Sequence, residues 1–242
     1  MFRSPGERTA RVWARIAAAH EGDGPVSVAA LCRAAVRWLG VDGASVIATG
    51  GRVAREPLFA SDALSAWLEE AQFTTGEGPG VEDFAFGAPM LIPDLEAAAA
   101  RWPGFVSVAT AAGARAMFAL PLQAGAIRVG VLSLYRATPG SLTPAELADV
   151  LVFADIALHM VLDAAAGITG SPEYRPLDGL SDRRAEVYQA VGMLSVQLGV
   201  DLEVAFIRLR AHAFASGAAV GDTASDVVNR RLRLDPDPGL PA

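Results

Sequence analysis

Hydrophobic and polar residues follow helical spacing in some stretches of the first 166 residues and form short apolar runs in others. Helical spacing over 5–19 and 27–39 predicts two helices, and Gly40 is the expected stop of the second. Apolar runs on either side of Gly50-Gly51 and of Ala124-Gly125 predict two β-hairpins. These patterns predict a mixture of helices and sheet-core strands.

The segment between the two predicted hairpins contains a helical pattern over about 61–72 and a strand pattern in "GAPMLIPDL". Between them lies the glycine-rich stretch "TTGEGPG" at 74–80, which lacks the Gly-Lys-Ser/Thr ending of a phosphate-binding P-loop. We predict that it is a flexible connection. The chain has no lysine, so its 20 basic residues are all arginine, which excludes lysine-dependent phosphate binding and Schiff-base chemistry.

A long helix is predicted over 144–166, because Thr143, Pro144 and Glu146 form a capping-box pattern at its start. Its apolar residues repeat at alternating steps of four and three, as in a heptad seam: Leu147, Leu151, Ala154, Leu158, Val161 and Ala165. One interpretation is that one face packs on the sheet and another on a second protomer, giving a homodimer. The alternative is a single wide face buried inside the domain.

A domain boundary is predicted in "AGITGSPEYRPLDGL" at 166–180, which is rich in glycine and proline and carries no long periodic pattern. Three helical patterns follow, over about 182–198, 201–216 and 222–232, with Asp222 or Thr223 as the cap of the third. A bundle of roughly fifty residues is marginal alone, so we expect it to be anchored to the larger domain or to a partner.

Charge is distributed unevenly between the two parts of the chain. The 242 residues carry a net charge of −7, but 181–234 holds seven arginines against six acids, a net +1. Arg230, Arg231 and Arg233 are clustered at its end, whereas Asp226 is placed to pair with Arg230 at i,i+4. The arginines are either the solvated surface of a bundle or part of a charged interaction surface.

Candidate catalytic and metal-binding residues are few. Cys32 is the only cysteine and falls among core positions, so we expect a buried thiol and neither a disulfide nor a redox pair. The three histidines are far apart, and we predict no metal site, no cofactor and no catalytic residue. Arginines interrupt the N-terminal segment, and acids interrupt the 144–166 helix, so we expect a cytoplasmic protein with no membrane span.

The end of the chain resembles the ANTAR domain, a three-helix RNA-binding module of transcription antitermination regulators. The likeness lies in "RAEVYQAVGMLSVQLGVDLEVAFIRLRAHA" and "VGDTASDVV", over 184–228. The matching positions are Arg184, Val187, Ala190, Gly192 and Leu194, then Ala205, Phe206, Leu209, Arg210 and Ala213, then Ala224, Val227 and Val228. The sequence departs from the family at Val191, where a basic residue is common.

The preceding region, over roughly 25–166, resembles a GAF domain, a small sensory fold with a central antiparallel sheet. The likeness lies in "TTGEGPGVEDFAFGAPMLIPDL", "RWPGF" and "ALPLQAGAIRVGVLSLYR". The implied fold is an α+β GAF-like domain, with an antiparallel sheet and flanking helices, followed by a small all-α three-helix ANTAR bundle. The implied organisation is an N-terminal helix (1–24), the GAF-like sensory domain (25–166), a linker (167–180), the ANTAR module (181–234) and a tail (235–242).

Together the two resemblances imply a bacterial signal-transduction protein that regulates transcription. The GAF domain would bind a small-molecule effector or dimerise, and the ANTAR module would bind a nascent RNA hairpin and promote antitermination. The expected RNA contacts are Arg184, Gly192, Arg208, Arg230, Arg231 and Arg233, with Gly192 allowing close approach. The expected effector contacts are Trp102, Phe105 and Phe118, which could equally be core residues.

Two other functions remain open at this point. The C-terminal bundle could bind protein and not RNA, which its low net charge favours. The GAF domain could be a thiol-dependent enzyme such as a reductase, against which the expected burial of Cys32 argues.

Overall fold

The computed structural model describes residues 5–21, 23–49, 55–166 and 180–235. Its elements in chain order are α1 (Pro5–Ala18), α2 (Val28–Trp38), β1 (Gly43–Thr49), β2 (Arg55–Ala60), α3 (Ala63–Thr75), α4 (Pro79–Phe86), β3 (Met90–Ile92), α5 (Pro103–Ala111), β4 (Ala116–Ala124), β5 (Ile127–Arg136), α6 (Pro144–Ala165), α7 (Leu180–Leu198), α8 (Leu202–Ser216) and α9 (Val220–Val228). A single 3-10 turn, Glu96–Ala98, precedes α5.

The five strands form one sheet in the order β2-β1-β5-β4-β3, and every neighbouring pair is antiparallel. Both predicted hairpins are confirmed as pairs, β1 with β2 and β4 with β5, although the tip of the first lies outside the described residues. Ser45 on β1 lies opposite Ser133 on β5 in this register. The prediction of an α+β fold with an antiparallel sheet, followed by three helices, is confirmed.

Two helical layers cover the two faces of the sheet. On one face α2 and α6 pack against β1, β4 and β5, and α1 packs on both helices to close a core that contains Leu31, Phe118 and Phe153. On the other face α3, α4 and α5 form a second layer, with Trp102 and Met117 in its core. Met117 and Phe118 belong to different cores because successive side chains of a strand point to opposite faces.

The predicted start of α6 is confirmed in atomic detail. The Thr143 hydroxyl accepts a hydrogen bond from the Glu146 amide, and the Glu146 carboxylate accepts one from the Thr143 amide. Ala154, Leu158 and Val161 of the predicted seam are buried within the domain, and Leu147 is half-buried. Leu151, by contrast, stays largely exposed.

The glycine-rich stretch 74–80 is structured, and the prediction of a flexible connection is wrong. Gly76 ends α3 in the left-handed conformation, and Pro79 is the first residue of α4, a helix that the sequence pattern did not predict. Between them the Glu77 carboxylate accepts hydrogen bonds from the amides of Gly104 and Phe105 at 2.8 and 3.0 Å. Glu77 therefore caps α5, although it lies 26 residues before that helix begins.

The last three helices form a bundle in which most of the apolar residues at the predicted helical spacing are buried, with Val187, Leu194 and Leu209 in one core, whereas Leu202 is exposed. The third helix is shorter than predicted: it begins after Ala219, which makes no side-chain cap, so neither Asp222 nor Thr223 is its cap. Because α9 ends at Val228, the predicted i,i+4 pair of Asp226 with Arg230 does not form, and Asp226 pairs with Arg231 at 2.7 Å.

The predicted linker 167–180 lies outside the described residues except for Leu180, the first residue of α7, and so does the tail beyond Asp235. Among the described residues, no single helix is long and apolar enough to cross a membrane. The segments Arg184–Leu198 and Leu202–Ser216 are long and apolar enough only when taken together, and the two helices meet at a bend of 106°.

Candidate functional site

The interior on the α3 side of the sheet contains a group of buried polar side chains, which we call the polar layer. Its members are Ser45, Arg55, Ser65, Glu69, Gln72, Asp83 and Ser133. They reach this position because Ser45 and Ser133 point inward from paired strands, while Glu69 and Gln72 are one turn apart on α3. A buried polar group is unfavourable unless it is hydrogen-bonded, so such a concentration marks a candidate ligand site.

Glu69 and Gln72 connect the sheet to the loop after α3. The Ser45 hydroxyl donates to one oxygen of the Glu69 carboxylate at 2.8 Å, and the Gln72 amide donates to the other at 3.2 Å. The Gln72 carbonyl oxygen in turn accepts a hydrogen bond from the Gly80 amide at 2.7 Å. Side chains around Ser45, Glu69 and Ser133 pack so closely that no water-sized space remains between them. The polar layer is therefore closed in this structure.

Asp83 is the least satisfied member of the polar layer. It is fully buried, and neither carboxylate oxygen has a hydrogen-bond partner among the described residues. Burial raises the pKa of Asp83 to about 8, against the opposing effect of the Arg55 and Arg128 charges. The raised pKa favours the protonated form of Asp83, which can donate a hydrogen bond to a ligand.

Two arginines border Asp83 and are held by backbone carbonyls. The Arg55 guanidinium donates to Gly80 O at 2.8 Å, and Arg128 donates to the carbonyls of Phe84 and Ala85. Burial lowers the pKa of Arg55. The polar layer therefore combines one buried cation, Arg55, with acidic and hydroxyl side chains, and Arg128 lies beside it. The Ser133 hydroxyl has no hydrogen-bond partner among the described residues.

The three aromatic residues predicted to bind an effector are not brought together. Trp102 and Phe105 are buried in the core under α3 and α5, and the Trp102 ring N–H donates to Glu82 at 2.7 Å. Phe118 is buried on the opposite face of the sheet. All three are core residues in this structure, and strand alternation places Phe118 on the opposite face of the sheet from the other two.

The C-terminal bundle packs against the GAF-like part through α3, and Phe73 of α3 lies inside the bundle core. Arg184 of α7 donates to the Glu70 carboxylate at 3.0 Å, and its guanidinium carbon lies 3.3 Å from the centre of the Phe73 ring. Arg210 of α8 lies 4.0 Å over the ring of Phe206, which is itself 5.2 Å from Phe73. We call these contacts the α3 interface.

Tyr188 extends the α3 interface to the first residue of β2. Its hydroxyl accepts a hydrogen bond from the Arg55 amide at 2.8 Å and donates one to the Arg55 carbonyl at 3.2 Å. Arg55 therefore belongs to both regions, with its side chain in the polar layer and its backbone against the bundle.

The residues predicted to contact RNA occupy different environments. Arg184 is only 3% exposed and lies in the α3 interface, so it is not accessible in this arrangement. A Cβ at Gly192 would meet no atom within 4 Å, so Gly192 makes no close approach here. Arg208 donates to the Asp235 carbonyl at 2.9 Å. The exposed arginines are Arg230, Arg231 and Arg233, on the segment that follows α9.

Polar residues within apolar strands were a sign of the polar layer that the hydrophobic periodicity did not reveal. Ser45 and Ser133 interrupt otherwise apolar strands, "GASVIAT" and "IRVGVLSLYR", and Glu69 and Gln72 lie beside the buried Leu68 on α3. Polar residues at inward positions of an apolar strand indicate a site better than buried aromatic residues do, because aromatic residues are usual in a core.

A family model of the GAF domain matches residues 26–158, which is more than half of the chain. The chain belongs to the GAF domain family. The matched residues include the sheet, the polar layer and most of α6, and the α7–α9 bundle lies outside them.

Two GAF domains of known structure are similar to this chain at low sequence identity. The GAF domain of a phosphoenolpyruvate-protein phosphotransferase from Acinetobacter is 13% identical, with a TM-score of 0.49, covering 69% of this chain and 98% of that one. The GAF domain of the corresponding protein from Coxiella burnetii is 12% identical, with a TM-score of 0.48, covering 67% and 95%. No curated protein gives a significant match.

Proposed function

We propose that the chain is a signal-responsive transcription regulator. Its GAF domain takes up a small-molecule effector, and its C-terminal bundle is an ANTAR module that binds hairpins in nascent RNA and promotes antitermination. The observation that carries the proposal is that α3 contributes Glu69 and Gln72 to the polar layer and Glu70 and Phe73 to the bundle contact. A sensory site and an output module thus share one helix.

The effector is proposed to bind in the polar layer, and it is a small polar molecule. Asp83 and Ser133 supply unused hydrogen-bonding groups there, and Arg55 supplies a buried positive charge. Ligand sites place a few convergent polar groups within a largely apolar lining, which Leu68 and Met117 provide.

RNA binding is supported by the resemblance over 184–228 and by the exposed arginines after α9. Arginine forms bidentate hydrogen bonds with phosphate, and its planar guanidinium stacks on the unpaired bases of RNA loops. All three arginines, Arg230, Arg231 and Arg233, are exposed, and Arg231 also forms an ion pair with Asp226. RNA binding of this kind needs no covalent chemistry, and we therefore propose a non-enzymatic regulator; because nascent RNA is its proposed ligand, we propose that it acts in the cytoplasm.

Homodimerisation is proposed through the surface of α6. Leu151 and Leu162 are exposed apolar residues on the same side of this helix, since eleven residues correspond to about three turns. Burial of these residues against a second copy would remove their apolar surface from water. Light scattering of the purified protein tests this, and a monomer at all concentrations would contradict it.

The test of RNA binding is selection from a pool of structured RNA hairpins at several salt concentrations. We expect enrichment of a shared loop and an affinity that falls as salt rises. Replacing Arg230, Arg231 and Arg233 with alanine should weaken binding and flatten its salt dependence. The matched control replaces three arginines of the GAF domain, Arg33, Arg37 and Arg101. Equal binding and an equal salt slope in the two triple variants would contradict the assignment.

A second candidate function has its own supporting observation. Ile207 and Phe214 are 55% and 66% exposed and lie two turns apart on α8, which gives the bundle an apolar surface stripe. With a net charge of only +1 over 181–234, this stripe favours a protein partner. If no RNA is enriched at low salt and Phe214→Ser abolishes capture of a protein partner, this alternative replaces RNA binding.

A further inference from the structure

Neighbouring residues of α3 contact two different parts of the molecule, the polar layer on one side and the C-terminal bundle on the other. Glu69 is hydrogen-bonded to Ser45 inside the polar layer, and Glu70, the next residue, binds Arg184 of the bundle. One turn later, Gln72 binds the Gly80 amide and Phe73 is buried in the bundle core. Any shift of α3 that opens the polar layer therefore also displaces the groups that hold the bundle.

An effector cannot enter the polar layer without such a shift. The side chains between Ser45, Glu69 and Ser133 leave no water-sized space, and β1 and β5 behind them are central strands of the sheet. Packed interiors do not deform continuously, so added volume moves the least constrained wall. That wall is α3, since the strands are fixed by hydrogen bonds to neighbours on both sides.

The bundle contact contains buried arginines whose hydrogen-bond donors are only partly used. Arg184 is almost fully buried, yet its Nε and one Nη have no hydrogen-bond partner among the described residues, and the same is true of Arg210 Nε. Arg55, Arg184 and Arg210 are close enough to repel one another, and burial lowers the pKa of each. A buried cation with unused donors is costly, and this cost offsets part of the stabilisation that Glu70 and the Phe73 ring give to the contact.

We propose that the α3 interface is an autoinhibitory contact, in which the docked bundle conceals Arg184 from RNA and entry of an effector into the polar layer releases it. This inference rests on the proposed function, because it names the regulation of the same two sites. In the docked state Arg184 binds Glu70 and the Phe73 ring. In the released state the same guanidinium is free for phosphate or an unstacked base.

The first test breaks the contact from the bundle side. The double variant Glu70→Gln, Tyr188→Phe removes the Arg184 charge pair and both hydrogen bonds to the Arg55 backbone. We expect amide exchange in α7 to rise, and affinity for the hairpin pool to increase about tenfold, the scale of one charge-assisted hydrogen bond. Glu96→Gln, the same charge change at an exposed residue that pairs with Arg115, is the control.

The second test forces the polar layer open without an effector. Ser133→Leu adds volume where the Ser133 hydroxyl meets no partner, and Ser133→Val is the smaller variant to use if the first does not fold. We expect faster amide exchange in α7 with the GAF thermal transition retained. Unchanged exchange in α7 in a folded Ser133 variant would overturn the coupling through α3.

The outcomes separate this inference from the proposed function. Faster α7 exchange with tighter RNA binding in the double variant supports both. Faster exchange with the same RNA affinity as the wild-type chain overturns autoinhibition and leaves RNA binding intact. Unchanged exchange in the double variant overturns the role given to Glu70 and Tyr188. Faster exchange with no RNA binding by either protein contradicts the proposed function itself.

Discussion

Ionisation of Asp83 should make the free energy of unfolding depend on pH, and a variant at this position separates its contribution from those of other groups. Its carboxyl is fully buried without a hydrogen-bond partner among the described residues, and burial raises its pKa from 3.8 to about 8. Because the folded-state pKa is raised, the stability contributed by this group is complete below pH 4. It is lost progressively as the pH rises from about 4 to about 8.

The magnitude follows from the size of the shift. Each pKa unit corresponds to 1.36 kcal/mol, so ionisation of Asp83 costs about 6 kcal/mol of folding free energy by pH 9. Asp83→Asn cannot ionise and should not show this loss. The amide has its own burial cost, which does not depend on pH. The quantity to follow is therefore the difference in unfolding free energy between variant and wild type as a function of pH.

Urea unfolding at pH 5, 7 and 9 measures this difference. Between pH 5 and pH 9 we expect the unfolding free energy of Asp83→Asn to rise relative to that of the wild type by more than about 2 kcal/mol. This holds even if the surroundings of the charge relax. Asp62 and Glu146, whose pKa values are lowered by hydrogen bonds, stay ionised over this range and cancel in the comparison. Asp163→Asn, at an exposed carboxylate of α6, is the control. Parallel curves for Asp83→Asn and wild type would refute the reasoning.

Three further predictions concern the loop after α3 and the core. Glu77→Gln should cost about 1 kcal/mol, because it removes the negative charge that caps the amides at the start of α5, and a thermal melt measures it. Gly78→Ala should lower the unfolding free energy more than Gly113→Ala. Both glycines have positive φ, but only at Gly78 would a Cβ lie 2.7 Å from Gln72. Equal losses of unfolding free energy, measured in urea, would contradict the clash. Cys32 should react with a thiol reagent only as fast as the protein unfolds, because it is fully buried and burial raises the pKa of its thiol; fast native labelling would show otherwise.

The elements with strong local signals were predictable from the sequence. The capping box before α6 and the two hairpins depend on neighbours in the chain, so the pattern was sufficient. The loop 74–80 was not predictable in this way, because its order depends on Glu77 binding amides 27 and 28 residues further along. The end of α9 was misplaced because the apolar spacing continues to Leu232 although the helix ends at Val228.

The candidate site was predicted only in part, for a physical reason. Periodicity identifies which residues are buried, and it gave most of the bundle core correctly, with Leu202 as an exposed exception. It does not say which buried residues face each other across the sheet, so Phe118 was grouped with Trp102 although they lie on opposite faces. It also placed Arg184 among the accessible RNA contacts, because its partners Glu70 and Phe73 are more than a hundred residues earlier in the chain.

The chemistry of Arg184 bears on whether the α3 interface is only structural. A permanent contact at this position would be stabilised better by an apolar side chain, because replacing a buried ion pair with a well-packed hydrophobic residue is often neutral or stabilising. The chain instead places a cation there with two of its donor groups unused, beside two further arginines. Under the proposed autoinhibition, such a contact would be stable enough to form and weak enough to be opened by the volume of one small ligand. A regulated interface requires both properties, and the same helix, α3, carries the groups that would deliver the signal.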